Sequence, residues 1–209
     1  MESSTNRAQT MIIKPKIWNN ICVTAHPFGC AAQVKSQINY VKAKGEIEGP
    51  RKTLVIGASN GYGLAARIAS TCNCGSATIG VAYEHAGKER RPATAGWYNT
   101  ESFKAQAQKE GYPAWNVNGD AFSEEIKTEV VELIKEKLGQ IDFRVYSIAA
   151  PRRIDPVTGE MYTTAIKPIG KKCTATPVDF LTGKVSNVTA KPATDQEIVQ
   201  TIKVMGGED

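Results

Sequence analysis

Long apolar runs are missing from this chain of 209 residues. Nothing in it approaches the ~20 consecutive apolar residues of a membrane-spanning helix, which excludes a helical span. The opening stretch MESSTNRAQT has no apolar core of the signal-peptide kind, and residues 1–10 read as a disordered tail outside the fold. Basic stretches interleaved with aromatics are also absent. Net charge is only +5, the lysines are spread along the chain, and the one dense cluster, KERR at 88–91, holds no aromatic. That argues against a nucleic-acid partner. Cysteines are few and odd in number, five in all. Without a signal peptide they read as free thiols in a reducing compartment, and the expected location is cytoplasmic. Cys72 and Cys74 lack the two-residue spacer of a zinc knuckle. Cys22, His26 and Cys30 lack a fourth ligand, and Pro27 and Gly29 are expected to break any helix that would gather them, so no metal is expected.

What is present is an alternation of strand-like and helix-like segments. KTLVIG (52–57) reads as a buried strand, GLAARIASTC (63–72) as a helix and ATIGVAYE (77–84) as a second strand. A helix follows over 96–111, with Asn99 or Thr100 as its expected cap and Gly111 as its stop. YPAWNVNGD (112–120) is a third strand, and 141–150 a fourth. Between them, 123–139 is amphipathic, capped by Ser123, with Ile126, Val130, Leu133, Ile134 and Leu138 as its apolar stripe. Apolar strands alternating with helices imply an α/β fold: a Rossmann-type, doubly wound, mostly parallel sheet with helices on both faces. Six or so strands are expected, in a single domain over 11–209. Short strands are expected within 11–15 and 20–25, and a helix over 30–45. Two TG turn signals, in DPVTGEMY and DFLTGKVSNV, predict a β-hairpin excursion near 154–190. A last helix over 194–206 opens on Thr194 with Glu197 three residues on, the spacing of a capping box.

The stretch 57–63, G-A-S-N-G-Y-G, joins the first buried strand to its helix. Glycines there permit a tight turn and close backbone approach, while the helix N-terminus offers free N–H groups and the positive end of its dipole. A dinucleotide pyrophosphate is held this way. The alternative is a tight turn without a ligand. The spacing G-x3-G-x-G resembles the short-chain dehydrogenase/reductase variant of the motif. Glu84 ends the second strand, where a carboxylate accepts from the adenosine ribose hydroxyls and repels a 2′-phosphate. NADH is therefore expected over NADPH, with Lys88, Arg90 and Arg91 near enough to soften the choice. The other reading of Glu84 is a solvated strand-end charge. Asp120 ends the third strand, within reach of an adenine amino group. Ser147, Ile148, Ala149 and Ala150 end the fourth, small enough to let backbone approach the nicotinamide-side ribose.

Together, VIGASNGYGLAARIA, AGWYNTESF, NGDAFSEEIK, VYSIAAPRR and VMGGED, with NNICVTAHPFGC before them, resemble the NADH-dependent trans-2-enoyl-CoA and enoyl-acyl-carrier-protein reductases. The resemblance runs from about Met11 to Asp209. It implies an oxidoreductase of fatty acid metabolism that moves hydride from NADH to the β-carbon of a 2-enoyl thioester of CoA or acyl carrier protein. By position it implies cofactor contacts at Gly57, Ala58, Ser59, Asn60, Gly61, Tyr62, Tyr83, Glu84, Asp120, Ala121, Ile148 and Ala149.

Members of that family are longer. Their catalytic tyrosine and lysine, spaced Y-x8-K, lie beyond the position of Asp209, so no catalytic residue is assigned within this chain. A hydride addition leaves an enolate, which a tyrosine hydroxyl can stabilise or protonate beside an ammonium group. Tyr162 and Lys171 match the spacing but fall in the hairpin region. Tyr40 and Lys44 match the short-chain Y-x3-K but precede the glycine turn. The expectation is a fragment that supplies the NADH site and is inactive alone, with exposed apolar surface near its C-terminus. The alternatives are a stand-alone nucleotide-binding module or a scaffold without catalysis. Arg152 and Arg153 are expected to reach a phosphate or to stand solvated, His26 to have a structural or loop role, His85 to be exposed, and Trp97 and Tyr98 to pack as core or loop anchors.

Overall fold

The computed structural model describes residues 14–18, 21–88 and 91–206. The tail 1–10, the first part of the expected strand at 11–15, Asn20, Arg90 and Gly207 lie outside the described residues.

Among the described residues the parallel sheet has four strands, not six. Its members are β3 (Lys52–Ile56), β4 (Ala77–Ala82), β5 (Ala114–Asn118) and β6 (Phe143–Tyr146), in the order β5-β4-β3-β6. The strand expected within 20–25 does not join it, and the hairpin excursion stays outside it as expected. Two-residue strands β1 (Ile17–Trp18) and β2 (Ile21–Cys22) form one antiparallel ladder. β7 (Arg152–Ile154) pairs with β8 (Met161–Thr163), and β9 (Cys173–Ala175) with β10 (Val188–Ala190), the two hairpins that the TG signals announce. Short strands with local turns close locally at little entropic cost.

Helices cover both sheet faces. On one, α1 (Pro27–Lys42), α2 (Gly61–Cys74) and α3 (Ala95–Lys109) bury Val34, Ile38, Leu64, Ile68, Phe103 and Ala107 in one cluster. On the other, α4 (Glu124–Lys137) lays Ile126 and Val130 on Leu54, Ile79, Val81 and Val117, while Leu133 and Ile134 are half-buried. The Ser123 side chain caps α4 by accepting from the Ile126 N–H at 3.3 Å. α5 (Asp195–Val204) carries the expected capping box in full: Thr194 accepts from Glu197 N, and Glu197 accepts from Thr194 N at 3.0 Å.

Two helix starts differ from expectation. α1 begins at Pro27, not at 30, and neither Pro27 nor Gly29 breaks it. Proline suits the first turn, where its missing N–H costs nothing, and His26 Nδ1 accepts from Gly29 N at 3.0 Å as the cap. His26 is thus structural, as expected. α3 starts after Thr94 rather than Asn99 or Thr100. Asn99 is drawn elsewhere by a tertiary contact described below, and Thr100 turns its hydroxyl back to the carbonyls of Gly96 and Trp97.

Past β6 the chain hugs the body only in places. Arg153, Tyr162 and Val204 are buried, but Ile166 is 95% and Val157 87% exposed, and Ile169, Phe180 and Leu181 are exposed too. Apolar surface is therefore exposed towards the C-terminus. No described helix is long and apolar enough to cross a membrane.

Candidate functional site

The strand order reverses between β3 and β6: from β3 the chain builds outward through β4 to β5, then returns to β6 on the other side. In open parallel sheets the crevice beyond the carboxyl ends at such a reversal is the binding position. A cleft of about 660 Å3 lies there.

The glycine turn forms its floor. Gly57 sits at φ 87°, a conformation that a side chain would strain, and its Cα faces the Ser147 carbonyl. The N–H groups of Gly57 and Ala58 both donate to Val81 O at 2.9 Å, which ties the turn to β4. A Cβ on Gly63 would run into the Gly57 carbonyl oxygen, so the helix can approach the strand this closely only with glycine there. α2 then begins on Asn60, whose side chain makes no capping bond. Its first-turn N–H groups and dipole end are left for an anion. Asn99 holds the turn from α3, donating to Ser59 O at 3.1 Å and to Asn60 Oδ1 at 2.8 Å. That is why Asn99 does not cap its own helix.

Glu84 stands past the end of β4. Asn118 clamps its backbone, accepting from Glu84 N at 2.9 Å and donating to Glu84 O at 3.0 Å. Its carboxylate lies against the Cα of Gly96, where a Cβ would strike both Glu84 and Ser59. The acid thus stands beside the glycine turn with bare backbone behind it. Asp120 accepts from Phe122 N at 3.0 Å through Oδ1, which shapes the loop after β5.

Of the residues expected to hold the cofactor, Gly57, Ser59, Asn60, Tyr83, Glu84, Asp120, Ala121, Ile148 and Ala149 line this one cleft. Ala58 is buried beneath it, and Gly61 lines an adjoining groove of about 440 Å3 between α1, α2 and α3. Tyr62 is 90% exposed on the outer side of the first helical turn. Phe122, Ile154 and Met161, to which the sequence assigns no role, line the cleft too.

Arg152 and Arg153 both line the cleft and differ in kind. Arg152 is exposed. Arg153 is buried, stacked 4.1 Å over the Phe122 ring and donating to Lys203 O at 3.0 Å, so it does not stand solvated. Its signal is the cross-strand pair with Tyr162, legible only once the hairpin register is known. The Tyr162 hydroxyl donates to Glu160 at 3.0 Å, and Lys203 rather than Lys171 lies over its ring, at 4.8 Å. Tyr40 is exposed on α1 with Lys44 beside its ring. Neither tyrosine lines the cleft. His85 is exposed, while Trp97 and Tyr98 are half-buried, the Tyr98 hydroxyl accepting from Ala93 N at 3.0 Å. Among the described residues no group of three or more His, Cys, Asp or Glu side chains is placed to hold a metal ion.

A strongly displaced pKa belongs to a residue to which the sequence assigns no role. Arg67, on the second turn of α2, is fully buried, and burial pushes its pKa down to about 9. Cys72 is buried on the same helix, and burial raises its thiol to about 11, so it packs rather than reacts.

A reversal-point cleft floored by a glycine turn, with an acid past the second strand of the motif, defines a Rossmann-type dinucleotide-binding fold. Comparison with known proteins narrows that class. Residues 12–89 match the NAD(P)H binding domain of trans-2-enoyl-CoA reductase, and residues 91–209 the trans-2-enoyl-CoA reductase catalytic region. The chain belongs to the trans-2-enoyl-CoA reductase family. It is 53% identical over 200 residues to an enoyl-[acyl-carrier-protein] reductase [NADH] of Saccharophagus degradans, covering 95% of this chain and 51% of that protein. To a trans-2-enoyl-CoA reductase [NADH] of Clostridium perfringens it is 50% identical over 199 residues, covering 95% and 51%. The crystal structure of Treponema denticola trans-2-enoyl-CoA reductase in complex with NAD superposes with a TM-score of 0.86 at 47% identity, over 95% of this chain and 51% of that one. The Clostridium acetobutulicum enzyme in complex with NADH gives 0.86 at 43%, over 95% and 50%. The chain spans about half the length of the curated relatives it matches.

Proposed function

We propose that this chain forms the NADH site of an NADH-dependent reductase acting on the 2,3-double bond of a trans-2-enoyl thioester, of CoA or of acyl carrier protein. The observation that carries the reading is the cleft at the strand reversal. It gathers a glycine turn, a helix N-terminus without a side-chain cap and Glu84, an arrangement suited to a dinucleotide's phosphates and adenosine ribose. Gly57 to Tyr62 hold the pyrophosphate, Ser59 and Asn60 facing the cleft while Gly61 and Tyr62 contribute first-turn N–H groups. Tyr83 and Glu84 take the adenosine ribose and its surroundings. Asp120 and Ala121 border the adenine, and Ile148 and Ala149 let the nicotinamide-side ribose lie close to backbone.

NADH, when bound, supplies a hydride for the β-carbon of the enoyl group. The chain's own contribution is to orient it: the turn fixes the phosphates, and the loop after β6 sets where the far end of the dinucleotide points. The group that stabilises or protonates the resulting enolate is not assigned to Tyr162 or Tyr40, which stand away from the cleft lining. The family resemblance assigns it to a tyrosine beyond the position of Asp209.

Titration with NADH and NADPH, read by quenching of tryptophan fluorescence, tests the reading. Saturable NADH binding, weaker NADPH binding, and a narrowed difference in Glu84→Gln are the expected results. A folded chain that binds neither nucleotide contradicts it and favours the scaffold alternative.

A further inference from the structure

Arg67 is a fully buried cation whose hydrogen-bonding side-chain and backbone partners are all neutral. Nε donates to Thr78 Oγ1 at 3.2 Å, one terminal nitrogen to Asn116 Oδ1 at 2.7 Å and the other to Trp115 O at 2.6 Å. The group lies over the Phe103 ring, 4.7 Å from its centroid. No carboxylate touches it. The acid that acts on it, Glu101, is held at one remove, because Asn116 accepts from Arg67 and donates to Glu101 Oε1 at 3.0 Å. Taking a charge out of water without an ion-pair partner is expensive, and a buried methionine or leucine would avoid the cost.

The fold makes room for this charge beside the glycine turn. A Cβ on Gly80 would collide with the Arg67 guanidinium and crowd the methyl of Ala58 at 2.9 Å. Guanidinium and Ala58 therefore rest on the same bare Cα of β4. Ala58 is the second residue of the turn, and its N–H is bonded to Val81, the neighbour of Gly80. Arg67 itself belongs to α2, the helix whose N-terminus opens the turn.

We propose that Arg67 is a positioning residue for the dinucleotide: a buried cation behind the Gly57–Gly61 turn that props Ala58 and adds attraction for the bound phosphates. In the low-dielectric interior the charge is weakly screened, so it reaches an anion it does not touch. This rests on the dinucleotide reading above and adds a residue to it.

The test compares Arg67→Lys, Arg67→Met and Asn116→Asp with the parent chain. Each is measured for NADH affinity by tryptophan quenching and for thermal unfolding. Arg67→Met is expected to weaken NADH about tenfold, the order of one charge interaction in a protein interior, and Arg67→Lys to recover most of the loss. Asn116→Asp, made in a Glu101→Gln background so that no second carboxylate faces it and compared with Glu101→Gln alone, keeps the hydrogen bond to Arg67 and neutralises the charge. It is expected to stay folded and still to bind NADH several-fold more weakly, which a purely structural Arg67 would not produce. The Asn116→Asp arm remains decisive where Arg67→Met fails to fold. Undiminished affinity in a folded Arg67→Met or in Asn116→Asp overturns the inference while leaving NADH binding by the parent intact. Absence of NADH binding by the folded parent overturns the dinucleotide reading itself, and this inference with it.

Discussion

Between Pro27 and Tyr146 the chain buries two apolar clusters against the faces of one parallel sheet, whereas between Arg152 and Gly206 only three described residues are buried. The first region is held by packing. The second is held by local geometry: two hairpins with matching turns, in which Asp155 and Asp179 each accept from the N–H groups two and three residues on, and a helix closed by its capping box. The second region meets the body through contacts such as the Tyr146 hydroxyl donating to Met205 O and Arg153 stacked over the Phe122 ring. A binding site needs groups fixed to a fraction of an ångström, and most of the candidate cofactor residues sit in or at the rim of the packed region.

The sharpest break in the comparison comes from emptying the body's core. Phe103→Ala should cost about 3–5 kcal/mol, against about 0.5 kcal/mol or less for Val157→Ala at the exposed hairpin tip; urea unfolding of both variants reads the contrast. Equal losses would mean that the hairpin region is as tightly packed as the body. Next in size is Gly63→Ala. Its Cβ must displace the Gly57 carbonyl, so NADH affinity should fall by about tenfold or more for a stability loss of about 1–3 kcal/mol. Thr194→Ala removes one half of the capping box and should cost about 1 kcal/mol. The loss should appear as faster hydrogen exchange in α5, with NADH affinity unchanged.

Acid titration separates the regions most gently. Asp155 and Glu197 both have pKa values held below the ordinary carboxylate range, Asp155 by the Thr158 and Val157 N–H groups and Glu197 by Lys167 and the Thr194 N–H. A depressed carboxylate stabilises the folded form above its unfolded pKa, and that contribution is lost as pH falls through the folded value. Hydrogen-exchange protection in β7, β8 and α5, taken relative to the intrinsic rate at each pH, should therefore fall as pH drops below the usual carboxylate range. Among its described residues the body has one such group, Asp142, held down by the Arg51 and Lys52 N–H groups, and apolar packing does not titrate. Simultaneous loosening of β4 and β5 would erase the distinction.

The regions also differ in how far their sequence can be read. The strands at 52–56 and 77–82, the Ser123 cap and the Thr194 capping box follow from local pattern, and so does the glycine turn with Glu84 and Asp120. Features that depend on partners distant in sequence stay hidden. Asn99 reads as a helix cap, yet it is drawn to the turn 40 residues earlier. Arg153 reads as a surface charge until Phe122 and Lys203 are placed on it. Arg67 has the look of the polar side of an amphipathic helix, and only the gap at Gly80 tells where its charge goes. The parallel sheet is smaller than the pattern suggests because short β-segments signal their own formation but not their pairing partner.

Hydrogen exchange measured with and without saturating NADH tests most directly that the packed region holds the site. The account predicts slowed exchange at residues 57–62, 83–84, 120–121 and 148–149, with none at 173–190. Protection confined to the hairpins, or no protection anywhere in a folded chain, would contradict it.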